Sequence, residues 1–304
     1  MGRTVDNFQH AAVIGAGLMG RRIAGVLARG GLDVRLFDVN RESLAAAVCE
    51  ASAMASEGSG SAGSVAAVGG LADAVSGVDL VIEAVVEDLQ VKQDIFSDLE
   101  RHASANAVLA TNSSVLRVAD VGARVRSKER VVGMHWWNPP DLIPIVEVVQ
   151  AECTGYEVVK RTISLLEELG KSPVHVRRDT AGFIGNRLQH ALWREAFALV
   201  SEGIADAQTV DLVVRQTIGL RLAEMGPLEN ADYVGLDLTA AIHRAVLPAL
   251  SRASTPDPLI SAALAAGNLG AKTGQGIAEW PEGNQARRTA ELSAHIGRQL
   301  RDRG

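Results

Sequence analysis

Over roughly its first 180 residues the chain alternates short, mostly apolar runs with longer stretches of helical period; after that only helical periods remain. The apolar runs are 11–14, 34–37, 78–85, 107–110, 131–134, 143–149 and 173–176. Each is bounded by glycine, proline or polar clusters, so each reads as a strand buried on both faces. Between them the segments 21–29, 43–55, 71–75, 89–100 and 155–169 read as helices. Strands alternating with helices predict a doubly wound, mostly parallel sheet. Beyond it, 182–203, 206–215, the run around Tyr233, 239–250, 259–266 and 288–301 read as helices. The expected architecture is α/β: a sheet domain over 1–179, then an all-α domain over 180–304. Segment 42–70 is rich in Ala, Ser and Gly and reads as a helix followed by a flexible connector. Segment 182–203 is apolar around most of its circumference, with only Arg187, Arg194 and Ser201 as a polar stripe. Such a pattern predicts a central helix packed on several sides.

The first strand runs into Gly15-Ala16-Gly17-Leu18-Met19-Gly20, a G-x-G-x-x-G followed by a helix. In that context Gly15 permits the tight turn and Gly17 lets backbone approach a pyrophosphate. Gly20 lets the helix pack close to the strand. Leu18 and Met19 complete the turn, and the helix N-terminus offers N–H groups to the phosphates. The second strand ends at Asp38, 18 residues after Gly20. An acid there accepts from the adenosine ribose hydroxyls and repels a 2′-phosphate, so the expected cofactor is NAD rather than NADP. Together these make the first domain Rossmann-type. The glycine turn, Asp38, Glu87, Ser114 and His135 all fall at strand ends, where ligands sit in such sheets.

The stretch 131–149, VVGMHWWNPPDLIPIVEVV, carries the candidate chemistry. Its two apolar runs are joined through Pro139 and Pro140, which force a turn. Pairing the runs brings His135 to Glu147. A histidine held by a carboxylate is a general base of fixed tautomer. The alternative is a core histidine beside an incidental glutamate. It leaves a carboxylate in an apolar strand without a partner, which is costly. Ser114 and Asn186 are candidate hydrogen-bond donors to charge developing on the substrate oxygen. Trp136 and Trp137 read as packing, with one of them placed to wall a pocket.

Composition narrows the partners. A formal net charge of -6 with no Lys/Arg block argues against nucleic acid and anionic membrane surfaces. No stretch approaches the ~18 apolar residues of a membrane span, and the first residues lack a signal-peptide pattern. Cys49 and Cys153 have neither metal nor redox spacing, so no metal is expected and the thiols read as those of a cytoplasmic protein. A largely apolar helical domain predicts a homodimer.

The stretches GAGLMG, VIEAVVEDLQVK, ATNSSVL, GMHWWNPP with IPIVEVV, DTAGFIGNR, MGPLENADYVGLD and GAKTGQG follow one another over nearly the whole chain. In this it resembles the L-3-hydroxyacyl-CoA dehydrogenases. The resemblance implies that His135 takes the hydroxyl proton as hydride leaves for NAD, with Glu147 orienting it. It implies that Ser114 and Asn138 bond the substrate and nicotinamide, and that Asn186 meets the substrate from the second domain. It assigns Glu87, Lys92 and Lys272 to the cofactor or its surroundings. One feature departs from the pattern: CoA-specific members carry a longer, lysine-bearing insertion where residues 41–77 here hold no lysine. The motif HWWNPPDLIPIVEVV is similar to the gulonate dehydrogenase (lambda-crystallin-like) and pyridine-carboxylate dehydrogenase branches, which act on small polar acids. The expected substrate is therefore a compact polar hydroxy acid or related alcohol. The alternatives are a true 3-hydroxybutyryl-CoA dehydrogenase and a non-catalytic NAD-binding structural protein. The 6-phosphogluconate-like dehydrogenases use a lysine four residues before the interdomain asparagine, where this chain has Gly182.

Overall fold

The computed structural model describes residues 8–58 and 60–301. Its strands are β1 (His10–Ile14), β2 (Asp33–Phe37), β3 (Val65–Ala67), β4 (Leu80–Glu83), β5 (Val108–Thr111), β6 (Val131–Trp136), β7 (Ile145–Val149) and β8 (Ser172–Val176). Interleaved with them are α1 (Leu18–Arg29), α2 (Arg41–Ser56), α3 (Leu71–Val75), α4 (Leu89–His102), α5 (Val118–Val121) and α6 (Tyr156–Glu168). The strands form one sheet in the order β3-β2-β1-β4-β5-β6-β7-β8. All neighbours are parallel except β6 and β7, which are antiparallel. The first six positions are the dinucleotide-binding order, with the topological switch between β1 and β4.

Burial on both faces explains why the strands are apolar without alternation. On β1, Ala11 and Val13 enter the core with α1, α2 and α6, while Ala12 and Ile14 enter the opposite core with α3, α4 and α5. Side-chain caps set two helix starts. Asn40 accepts from the Glu42 and Ser43 N–H groups at α2, and Asp88 accepts from the Val91 N–H at α4. Helix α1 has no side-chain cap; it starts at Gly17 with its first N–H groups open. Strand β3 lies within the stretch expected as helix and connector. Its three residues have one half-buried side chain and two exposed ones, so parallel pairing to β2 rather than apolar patterning makes it a strand.

The remaining helices are α7 (Gly185–Ser201), α8 (Ala207–Gln216), α9 (Ile218–Leu222), α10 (Pro227–Val234), α11 (Leu236–Val246), α12 (Pro258–Ala265) and α13 (Asn284–Arg301). The chain divides into two compact units. One runs through Arg187 and takes in Gln299, and the other is Leu188–Arg298. The short helix α9 was not expected from the periodicity. The expectation for α7 also needs correction: Leu188, Leu192 and Trp193 are exposed rather than packed on several sides. No described helix is long and apolar enough to cross a membrane.

Candidate active site

The glycine turn has the geometry its spacing predicts. Gly15 sits at φ +103°, and a Cβ there would lie 2.6 Å from the Ala84 carbonyl oxygen. A Cβ on Gly20 would fall 1.8 Å from the Gly15 oxygen. A Cβ on Gly17, by contrast, meets nothing within 4 Å. The fold itself therefore requires Gly15 and Gly20, whereas the room at Gly17 suits a ligand brought against the α1 N-terminus. Leu18 is exposed at that end, and Met19 packs on the core. Asp38 joins the turn to β2: its carboxylate accepts the Ala16 N–H at 2.7 Å and the Asn40 N–H at 2.8 Å. These residues fit a dinucleotide.

A buried charge network lies at the ends of β4 and β5. Lys92 is 1% exposed and lies 2.7 Å from Glu83 and 3.2 Å from Glu87. Glu83 also accepts from the Val85 N–H and the Thr111 hydroxyl. Glu87 accepts the Ser113 hydroxyl and the Ser114 and Val115 N–H groups. Burial alone would raise the Glu87 pKa, but its bonds from Ser113, Lys92 and Val115 outweigh that and hold it below the ordinary range. Lys92, enclosed by its two carboxylates, thus acts on its surroundings through Glu87. Glu87 in turn shapes the Ser113–Val115 segment.

The antiparallel register of β6 and β7 places His135 opposite Glu147. The His135 Nδ1 lies 2.7 Å from one Glu147 oxygen. The other oxygen accepts the Ile184 N–H at 2.9 Å and the Gly185 N–H at 3.1 Å. Burial alone would raise the Glu147 pKa. Its bonds from His135, Gly185 and Ile184 together outweigh that and lower it. A carboxylate accepts only, so Nδ1 carries the proton and Nε2 is left as the acceptor. Both residues are 3% exposed. The imidazole is flanked by Trp137 at 5.2 Å and Phe183 at 5.6 Å between ring centroids.

The loop after β8 is bent to serve this pair. Gly182 and Phe183 both have positive φ, 75° and 49°, and for Phe183 that conformation is strained. The bend aims two successive N–H groups, at the start of α7, onto Glu147, where the helix dipole favours negative charge. A Cβ at Gly185 would lie 2.2 Å from the Trp137 ring, so glycine is needed for that ring's position. Trp137 lines an apolar cavity of about 290 Å³ beside Glu147, with Ile143, Ile145, Val174, Ile184 and Gly185.

Asn186 is 7% exposed and lies near the start of α7. Its amide donates to the Ser114 carbonyl at 2.8 Å. Ser114 is thus held at both ends of its residue, N–H to Glu87 and carbonyl to Asn186. Among the described residues its hydroxyl has no protein partner. Asn138 is exposed on the turn after β6. Lys272 is exposed between α12 and α13 in the helical unit. The sequence reading missed Glu83 and Asn112. Asn112 is buried and accepts the Trp136 N–H at 2.9 Å through its side-chain oxygen. Among the described residues no cluster of His, Cys, Asp and Glu could hold a metal ion, and Cys49 and Cys153 are free and exposed.

Comparison with known proteins identifies the family. The family model for the 3-hydroxyacyl-CoA dehydrogenase NAD binding domain matches residues 10–180, and that for the C-terminal domain matches 182–280. The chain is similar to 5-formyl-3-hydroxy-2-methylpyridine 4-carboxylate 5-dehydrogenase of Mesorhizobium japonicum, 34% identical over 94% of this chain and 96% of that one. It is 32% identical to a probable 3-hydroxybutyryl-CoA dehydrogenase of Bacillus subtilis, over 89% and 96% of the two chains. A crystal structure of the pyridine-carboxylate enzyme, described as an NAD+ dependent dismutase, superposes with a TM-score of 0.90 at 32% identity. It covers 95% of this chain and 96% of its own. The protein is an NAD-dependent oxidoreductase acting on CH–OH groups, and it belongs to the 3-hydroxyacyl-CoA dehydrogenase family.

Proposed function

We propose that the protein reversibly oxidises the secondary alcohol of a small polar hydroxy acid or related alcohol, with His135 and Glu147 as the base. The observation that carries the reading is the in-register pair with its carboxylate bonded on both oxygens. Nε2 of His135 takes the hydroxyl proton. Glu147 keeps Nδ1 protonated and offsets the charge the ring gains. NAD, held by Gly15, Gly17, Leu18, Met19, Gly20 and Asp38, supplies the hydride acceptor when bound. The Ser114 hydroxyl donates to the substrate oxygen, and Asn186 and Glu87 hold Ser114 in place. Asn138, exposed on the turn after β6, is assigned to the substrate and nicotinamide by the family resemblance, as is Lys272 to the cofactor's surroundings, and Lys92 acts through Glu87.

The substrate half of the reading rests on charge. Residues 41–77 contain Arg41 as their only cation, against Glu42, Glu50, Glu57 and Asp73. Glu50 is already engaged by Arg21. A CoA nucleotide needs cationic or N–H partners for its phosphates, and this segment has the wrong sign. The Mesorhizobium relative is named for a small pyridine carboxylate, which supports the same class. The Bacillus relative's name supports the alternative, a CoA thioester. The test compares kcat/KM for 3-hydroxybutyryl-CoA, its truncated pantetheine thioester and free 3-hydroxy acids. A nucleotide end that improves kcat/KM by less than about tenfold, ~1.4 kcal/mol, fits the reading; a larger gain establishes a CoA site and overturns it.

The same reading includes a homodimer formed through the helical unit. Leu228, Tyr233, Leu220 and Leu236 are among its exposed large apolar side chains, and monomers rarely leave such surface open. It also includes a cytoplasmic location, which suits two exposed free thiols.

A further inference from the structure

The turn between β6 and β7 joins the two halves of the dyad and carries Asn138, yet it is poor in donors. Pro139, Pro140 and Pro144 have no N–H. The Leu142 and Ile143 N–H groups both go to the Pro139 carbonyl. The Pro144 carbonyl accepts the Ser172 N–H from β8. The carbonyls of Pro140 and Ile143 are bonded by one side chain, Lys171, whose Nζ lies 2.6 Å from the first and 3.0 Å from the second. Lys171 follows Gly170, which at φ +71° ends α6 and turns the chain back toward the sheet. The lysine is 8% exposed, and its ammonium sits 5.6 Å from the ring of Trp136, the neighbour of His135 on β6. From the other side Asp141 pairs with Arg22 at 2.7 Å. Arg22 lies on α1, two residues beyond the last glycine of the cofactor turn.

We infer that Lys171, together with the Asp141–Arg22 pair, is a positioning unit for the dehydrogenase reaction. It straps the Asn138 turn to α1 on one side and to the α6–β8 corner on the other. The inference rests on the reading of His135 and Glu147 as the base. A buried cation whose hydrogens go to loop carbonyls is an expensive way merely to close a turn. Here it closes the one turn that spans base, orienting carboxylate and dinucleotide helix. Burial first, with Arg29 adding to it and Asp141 opposing, brings the Lys171 ammonium down from 10.5 to about 8. Those two, with Arg22 on Asp141, are the charged groups facing it. As pH rises through about 8 the lysine loses its charge, and its bonds to the carbonyls lose their charge assistance.

The test compares Lys171→Met, Lys171→Arg and Asp141→Asn in the full-length protein with NADH bound. Amide exchange at Leu142 and Ile143 reports the turn without reference to substrate. Turnover is read on the best alcohol of the substrate panel, and NADH affinity by fluorescence titration. The expected result for Lys171→Met is faster exchange at both amides and a kcat lower by about tenfold, with NADH affinity kept within about threefold. Asp141→Asn, at a half-buried pair that tolerates the change, gives a smaller loss of the same kind. Lys171→Arg keeps its charge at high pH, so the protection of the two amides, taken relative to their intrinsic base-catalysed rate, no longer falls above pH about 8 as it does in the wild type. Unchanged exchange in both Lys171→Met and Asp141→Asn overturns the strap. So does faster exchange with undiminished kcat, which would make the unit structural only. His135→Ala with normal turnover overturns the base reading instead and leaves the exchange result standing.

Discussion

The two units satisfy their apolar residues in different ways. In the sheet unit β4, β5 and β6 are buried along their whole length. In the helical unit Ala198 and Val210 are the only described hydrophobic residues that are buried, and α9 to α13 hold no buried residue at all. Both sequences are apolar in pattern. An apolar stripe records that a surface must leave water; it does not record whether the same chain or a second copy covers it. The sheet unit, closed by its own helices, can hold the dyad and the buried network of Glu83 and Lys92 in place. The helical unit leaves most of its large apolar side chains exposed.

The largest effect on stability expected inside the sheet unit is at Lys92. Lys92→Met leaves Glu83 buried with a charge and no ion-pair partner, which should cost about 3–5 kcal/mol of stability. Chemical denaturation should show the same loss at low and at high protein concentration. A loss that shrinks with concentration would place that network at a subunit contact and blur the distinction between the units.

The helical unit should respond differently. Leu228→Glu combined with Leu236→Glu, both at exposed positions, should weaken self-association by about 30-fold, roughly 2 kcal/mol, while NADH binding persists. Sedimentation equilibrium measures the first and fluorescence titration the second. Unchanged association would mean that these helices are covered by something other than a second copy.

Much of this contrast could be read from the residues before any fold was in hand. The glycine turn was legible because Gly15 and Gly20 answer to local sterics, and strand–turn–helix is a short-range pattern. The dyad was legible because two apolar runs joined by a proline turn must pair in register, and that register sets His135 across from Glu147. Strand β3 was not, since Val65, Ala66 and Ala67 have little to bury and are held by their backbone bonds to β2. The enclosure of Lys92 was hidden as well: a lysine on an amphipathic helix reads as solvated, and only the sheet brings Glu83 beneath it. Lys171 was invisible for the same reason, because its partners are carbonyls 28 and 31 residues away. For α7 the apolar circumference predicted a helix packed on several sides, whereas Leu188, Leu192 and Trp193 are exposed.

A smaller effect is expected at the cofactor turn, where the sheet unit meets its ligand. Asp38→Ala should lower kcat/KM for NAD by about tenfold and relax the rejection of NADP, because it removes an acceptor and a repulsive charge together. Asp38→Asn separates the two, keeping an acceptor for the Ala16 N–H while losing the charge. Equal kcat/KM for NAD and NADP in the wild type would refute the role of Asp38.

The base itself is tested most directly by steady-state NADH formation with His135→Ala beside Glu147→Gln, each with its NADH dissociation constant. The account predicts that kcat falls by about 10²–10⁴ in His135→Ala and by less in Glu147→Gln, since Glu147 orients and polarises the ring. NADH affinity should stay close to wild type in both. Near-normal turnover in His135→Ala would contradict the account and require another residue to take the proton.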